Sequence, residues 1–385
     1  MQNFSEQVAD LNEQIKELQL LVHHSLDVIY KVDTDGMLKY VSPSVEKLTG
    51  RTVPDWIENA NAYVRSIPEN LAAIENAIQL ARAGKPVPPY RIRYNHPNGK
   101  LIWVEIKEQA YKEDGIFAGF IGIARDITDR VKMEEELHRQ HILLERELEV
   151  ATRVHETLIP KNLKTDQLDL ALTYRPVSSM GGDYASYFLH DNRLLFIISD
   201  VTGHGVPAAL LVNRVDSEFK RQASKNKEPG DIMKTLESFI EHQFRGTQMY
   251  LSAFCGALEF GSGRLAYSNY GHLPQIVFNP EENKIDLMEA QTTLLGIPVN
   301  RGEAPIQDEI TLSPQARIFL FTDGVTETKG PEGELFGYDR LQGLIQEHAG
   351  LPPERFNKHL LDELTTFKHD DFEDDIFMFH LERTT

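Results

Sequence analysis

Apolar residues at Phe4, Val8, Leu11, Ile15, Leu18 and Val22 step by four and three through a segment otherwise filled with acids and amides. That period puts one apolar stripe on a helix, predicted over 1–22. Such a stripe calls for cover, from its own domain or from a second copy of the chain. After Leu26 the pattern changes. Asp27–Val32 and Met37–Val41 read as short strands around Asp35-Gly36, a dipeptide suited to a tight hairpin. Ser42-Pro43-Ser44 opens a short helix that runs through Leu48 and closes at Gly50. Pro86-Val87-Pro88-Pro89 then breaks the chain ahead of three alternating stretches, Tyr90–Tyr94, Leu101–Gln109 and Phe117–Ile123. Asn98-Gly99 is the turn between the first two. The sum is a small antiparallel sheet with helices inserted after its second strand.

Residues 129–158 are dense in Glu, Arg and Leu, and Leu137, Leu144, Ala151 and Leu158 fall seven apart with Leu148 on the same face. Heptad spacing with charged flanks favours a coiled coil. The interleaved His141 and His155 leave open a long helix that packs only locally. Past Pro160 the chain reads as buried strands at Leu194–Ser199, Ser252–Glu259, Arg264–Asn269, Arg317–Thr322 and Ile376–Leu381, with two helices at Ala208–Lys225 and Asp231–Phe244.

At 385 residues the chain exceeds one ordinary core. No apolar run is long enough to span a bilayer, and the N-terminus lacks a basic region followed by an apolar stretch, so a cytoplasmic location is expected. The single cysteine, Cys255, excludes an internal disulfide framework and a cysteine-built zinc site. A formal charge of −19 with no basic patch argues against nucleic acid and anionic membrane as partners.

Some of that acidity has a pattern. Asp183 follows Gly181-Gly182, Asp200 ends one predicted strand, Asp323 ends another, and Asp374-Asp375 opens the last. Any one of these alone reads as a turn or helix cap. Four together, each fixed to an apolar strand, place carboxylates where a sheet meets a cleft, and they repel one another unless cations bind. All-oxygen donors suit Mg²⁺ or Mn²⁺ rather than zinc. Two such ions sharing a carboxylate hold a hydroxide able to attack phosphorus in line.

Two resemblances follow. The stretches "DVIYKVDTDGMLKYVSPSVEKLTG", "HPNGKLIWVEI" and "GIARDITDR" resemble a PAS sensor domain over residues 22–128. Trp103 and the Tyr90–Tyr94 strand read there as core aromatics, with a ligand pocket as the alternative. No cysteine serves a flavin photosensor, nothing singles out His23, His24 or His96 as a haem ligand, and the sensed ligand is unassigned. Further on, "GGDYASYF", "ISDVTGHGVPAAL", "YSNYGHLPQ", "LLGI", "FTDGVTET" and "DDIFMFHL" resemble, in order, the SpoIIE/RsbU class of PPM (metal-dependent) protein phosphatases over residues 150–385.

The resemblance implies an α+β multidomain chain: an N-terminal helix at 1–22, a PAS fold at 23–128, a helical coiled-coil linker at 129–158 and a PPM αββα sandwich at 159–385. It also implies a protein-serine/threonine phosphatase using two Mn²⁺ or Mg²⁺ ions. Asp183, Asp200, the backbone carbonyl of Val201, Asp323 and Asp374 would serve the metals, with Asp375 orienting a neighbour or a water. His204 is a candidate general acid or a structural residue; His272 reads as a packed turn histidine, and Glu327 as a partner of the Asp323 turn. The implied substrate is a phosphorylated STAS-domain anti-anti-sigma factor, and the two helical stripes suggest a parallel homodimer. One departure stands out: many members carry an acid where this chain has Ser186, which admits a metal-poor pseudophosphatase that binds phosphoprotein without cleaving it.

Overall fold

The computed structural model describes every residue except Met1, Ser178, Ser179, His204, Arg245, Thr247, Gln248, Asn300, Arg301, Glu303 and Thr385, with side chains from Asp10 onward. The chain divides into two units, Met1–Leu144 and Glu145–Thr385.

The first unit begins with α1 (Gln2–His24), then β1 (Val28–Val32), β2 (Leu38–Val41), α2 (Ser44–Thr49), α3 (Val53–Arg65) and α4 (Pro68–Arg82). It continues through β3 (Tyr90–Asn95), β4 (Leu101–Glu113) and β5 (Ile116–Asp126) into α5 (Thr128–Glu156), which crosses the division between the units. The antiparallel sheet runs β2-β1-β5-β4-β3. The Asp35-Gly36 hairpin forms, with Tyr30 opposite Val41. Gly50 closes α2 at φ 66°, where a side chain would be strained. β4 and β5 outrun the predicted stretches because Asp114 and Gly115 both take positive φ, the geometry of a primed hairpin turn, and carry the pairing to Glu113–Ile116. One face of the sheet buries Ile92, Tyr94, Ile102, Val104 and Ile106 against Trp56, Tyr63 and Val64 of α3.

Both predicted helical stripes form helices, yet their apolar residues stay in water: Leu11, Ile15 and Leu18 on α1, and Leu137, Leu144 and Leu148 on α5, are all exposed. Among the described residues, no helix is long and apolar enough to cross a membrane.

The second unit runs β6 (Leu163–Lys164), β7 (Leu168–Arg175), β8 (Tyr184–His190), β9 (Arg193–Val201), α6 (Val206–Ala223), α7 (Pro229–Gln243), β10 (Leu251–Glu259) and β11 (Arg264–Tyr270). There follow β12 (Gln275–Asn279), β13 (Lys284–Met288), β14 (Asp308–Thr311), β15 (Arg317–Phe321), α8 (Asp323–Thr326), α9 (Gly337–Glu347), α10 (Pro353–Phe367) and β16 (Ile376–Arg383). One sheet is ordered β14-β11-β10-β9-β8 and the other β13-β12-β15-β16-β7-β6.

Three apolar layers hold these pieces together. Between the sheets, Phe196, Ile198 and Phe254 meet Ile318, Phe377 and Phe379. Outside the first sheet, Leu211, Val215 and Phe219 of α6 and Ile232 and Leu236 of α7 pack on Leu195, Ile197 and Cys255. Outside the second, α9 and α10 contribute Leu341, Ile345, Phe356, Leu360 and Leu364. The result is an αββα sandwich. It needs a second pair of helices beyond the two predicted. Phe356, Leu360 and Leu364 recur every fourth residue and seal the far sheet face, which otherwise exposes Phe319 and Met378 to water.

Candidate active site

β9 is buried along its whole length except at Asp200. The strand does not end there, as the sequence suggests. Its pairing with β10 carries on, Asp200 opposite Ser252 and Val201 opposite Leu251, so Asp200 leaves the sheet one residue early as a side chain rather than as a terminus. Asp183 sits between Gly182 and β8, the neighbour of β9. From the second sheet, Asp323 opens α8 directly after β15, and Asp374 precedes β16, which pairs with β15. Adjacent strands of each sheet therefore deliver two carboxylates apiece.

Their electrostatics show that they converge. Burial first, and then the charge of Asp200, hold the Asp183 carboxyl well above the usual carboxylate range. Asp200 is pushed up to about 7, by burial and then by Asp323 and Asp374. Asp323 is pushed up to about 6, by burial and then by Asp374 and Glu327. Asp183 is 3% exposed, and its Oδ2, like Oδ1 of Asp323, is buried with no hydrogen-bond partner among the described residues. Buried acceptors left unpaired are costly, and hard divalent cations fit them. Among the described residues, no three His, Cys, Asp or Glu side chains are gathered tightly enough to form a ready coordination shell. The carboxylates form a loose, mutually repelling group.

Asp375 is the wedge that shapes this end of the sandwich. Its Oδ1 accepts from the Val177 backbone N–H at 2.8 Å, while its own N–H donates to Asp374 Oδ1 at 2.7 Å. Chain packs against it from two sides. A Cβ on Gly181 would lie 1.8 Å from Asp375 Oδ2, and one on Gly324 would lie 2.1 Å from its backbone oxygen. Only glycine permits either approach. Asp375 thus holds the Val177 segment against the start of β16. The Val201 carbonyl lies 2.8 Å from where a Gly182 Cβ would sit, on the side of the glycine pair.

His272 carries more than the sequence reading assigns to it. It is 1% exposed. Its Nδ1 meets Ser252 Oγ at 2.7 Å, and its Nε2 meets the Phe321 carbonyl at 3.2 Å. A carbonyl only accepts, so Nε2 bears the proton and Nδ1 accepts from the serine. Burial depresses the imidazole to about 4, which keeps it neutral. Ser252 of β10 lies opposite Asp200 of β9, and Phe321 lies two residues before Asp323, so this neutral ring bridges the two sheets beside two of the acids. The residues are distant in sequence, and only the "GH" turn hinted at the link. His272→Ala is expected to lower turnover about tenfold and to cost about 2 kcal/mol of stability, through a lost network and a half-buried serine left unpaired. Unchanged melting and unchanged Mn²⁺ dependence would show the ring to be filler.

Ser186 is fully buried on β8 and shares a face with Tyr184, whose hydroxyl donates to Asp216 of α6. An acid therefore reaches this layer from α6 rather than from β8. Glu327 is exposed and meets the Asp323 turn through its backbone, donating to the Asp323 carbonyl at 2.7 Å. His204 lies outside the described residues.

The profile of Stage II sporulation protein E (SpoIIE) matches residues 190–384, half of the chain. This chain belongs to the SpoIIE family. A PAS domain matches residues 26–129. The SpoIIE-family chain is 27% identical over 231 residues to phosphoserine phosphatase RsbU of Bacillus subtilis (strain 168), across 59% of this chain and 68% of RsbU. It is 25% identical over 240 residues to phosphoserine phosphatase RsbP of the same organism, across 60% of this chain but only 57% of RsbP. Among solved structures, the SiaA-PP2C domain of Pseudomonas aeruginosa matches with a TM-score of 0.56 at 18% identity, covering 64% of this chain and 99% of that domain. That likeness speaks for the fold. The SpoIIE-family chain thus joins a PAS domain to a PPM-type protein-serine/threonine phosphatase.

Proposed function

We propose that the C-terminal unit removes phosphate from serine or threonine of a STAS-domain anti-anti-sigma factor, with Asp183, Asp200, the Val201 carbonyl, Asp323 and Asp374 serving two Mn²⁺ or Mg²⁺ ions. The observation that carries this reading is the delivery of mutually repelling carboxylates from two sheets, with buried oxygens of Asp183 and Asp323 left without partners among the described residues. Bound ions supply Lewis acidity and an activated water for attack on phosphorus. The chain's own residues set the geometry. Asp200 is raised by the charges of Asp323, Asp374 and Asp375 and lowered by a hydrogen bond with Asp183. Asp374, exposed at the mouth, faces the side from which a phosphoprotein approaches. Release of phosphate from a serine-phosphorylated STAS-domain protein is expected with Mn²⁺ or Mg²⁺ and none with chelator. Release that persists in chelator contradicts the reading. Tight binding without release under any divalent ion favours the pseudophosphatase instead.

A cytoplasmic location accompanies that substrate. The domain limits are proposed at 1–22, 23–128, 129–158 and 159–385, and control is proposed to pass along α5, which belongs to both units. Replacing 129–158 by a flexible Gly/Ser segment is expected to change turnover. The exposed apolar stripes of α1 and α5 support a parallel homodimer through those helices, coiled-coil in α5. Light scattering is expected to give twice the chain mass; a monomer at high concentration would rule the dimer out.

A further inference from the structure

The PAS unit holds a cavity of about 170 Å³ between its sheet and α3, walled chiefly by Val28, Trp56, Ile92, Val104, Ile106 and Phe120. Its rim is the β1–β2 turn at Thr34 and Gly36 and the end of α3 at Arg65, and both Thr34 and Arg65 are exposed. An apolar cavity of about 150 Å³ admits benzene, so this one has room for a single ring with a short polar tail.

Asp33, Asn61 and Arg65 also line the cavity, and a further acid meets it between two tyrosines. Glu108 of β4 turns its carboxyl into the cavity wall, where Tyr30 Oη donates to Oε2 at 2.6 Å and Tyr90 Oη donates to Oε1 at 3.0 Å. No Lys or Arg forms an ion pair with it among the described residues; the adjacent Lys107 pairs with Glu105 instead. Burial raises the Glu108 carboxyl above the usual range, against the two tyrosine hydrogen bonds. Two further polar atoms along the wall are occupied: Trp56 Nε1 donates to Thr49 Oγ1 at 2.6 Å, and Thr49 Oγ1 donates to the Val45 carbonyl.

Both tyrosine protons at this end are spent on the carboxylate. What remains are acceptors, namely the unused lone pairs of Glu108 and of the two phenol oxygens. A half-buried carboxylate without a cation, facing space for a ring, selects a ligand that brings donors and positive charge. We propose that the cavity binds a small aromatic amine, its nitrogen donating to Glu108 between Tyr30 and Tyr90 and its ring lying against Trp56 and Ile92. This goes beyond the phosphatase reading and does not depend on it. Carboxylate or phosphate ligands are disfavoured at the Glu108 end, because they would meet acceptors there.

The test is calorimetric titration of the full-length protein with benzylamine, phenethylamine and tyramine, alongside benzyl alcohol and benzoate as shape-matched controls. Saturable one-to-one binding is expected for at least one amine, weaker binding for the alcohol and none for benzoate. Glu108→Gln, confirmed as folded by its melting curve, is expected to weaken amine binding about tenfold or more. The proposal is overturned if no amine binds, if benzoate binds as tightly as the amines, or if Glu108→Gln keeps full affinity. Should that variant fail to fold, the ranking of amine, alcohol and benzoate on the unaltered protein decides alone.

Discussion

Asp200→Asn is expected to reduce phosphate release about a thousandfold or more while making the metal-free protein more stable. The two effects have one cause. Asp200 is part of a buried group of like charges, and its carboxyl is pushed up to about 7 by burial and by Asp323 and Asp374. Asparagine keeps the size and most hydrogen bonds but removes the charge that repels its neighbours and that a cation would need. Shared among several acids and partly reached by solvent, the relief amounts to about 2 kcal/mol near neutral pH. The sign with pH follows. Asp200 and Asp323, at about 7 and about 6, are raised above the ordinary aspartate value of 3.8. Their favourable contribution is complete below that ordinary value and is lost as pH rises through the folded values. In chelator, this group should therefore pull the melting temperature down between about pH 4 and pH 7, the reverse of ordinary acid denaturation. Asp200→Asn should flatten that slope, and saturating Mn²⁺ should cancel it. A variant that melts lower than the parent in chelator, or one that retains turnover, would contradict this account.

The second large effect concerns a residue without a side chain. Gly324 lies directly after Asp323, and a Cβ there would stand 2.1 Å from the backbone oxygen of Asp375 and 3.3 Å from that of Asp374. Neither obstacle is the end of a flexible side chain. Gly324→Ala must push the opening turn of α8 away from the start of β16, and those two segments carry Asp323 and Asp374. A cost of about 2–3 kcal/mol is expected from overpacking, together with a marked rise in the Mn²⁺ concentration needed for half-maximal turnover. Excess Mn²⁺ should restore part of the activity, since displaced acids still attract the ion. Parent-like melting and parent-like Mn²⁺ dependence would mean that the contact is easily relieved and does not set the site.

Much of this was legible in the sequence, for identifiable reasons. Hairpin and cap glycines act locally, so Asp35-Gly36 and Gly50 stand where the pattern places them. The four aspartates were legible because each is bound to an apolar strand that sterics and burial fix almost by themselves. Asp200 was misplaced by a single residue because strand ends are set by pairing with β10, which the strand's own residues do not reveal. α9 and α10 escaped notice although Phe356, Leu360 and Leu364 hold helical spacing, because polar residues fill the positions between them. Glu108 looked like an ordinary outward position in an alternating strand. Tyr30 and Tyr90, from two other strands, make it a half-buried acid facing a cavity. The Ser252–His272–Phe321 link is likewise a product of tertiary pairing, with partners 20 and 49 residues from His272.

The most direct measurement is a crystal of the full chain grown in manganese and examined by anomalous diffraction. Two anomalous peaks among the oxygens of Asp183, Asp200, Val201, Asp323 and Asp374 are the predicted result. Well-ordered aspartates with no peak between them, or manganese bound only elsewhere, would contradict it.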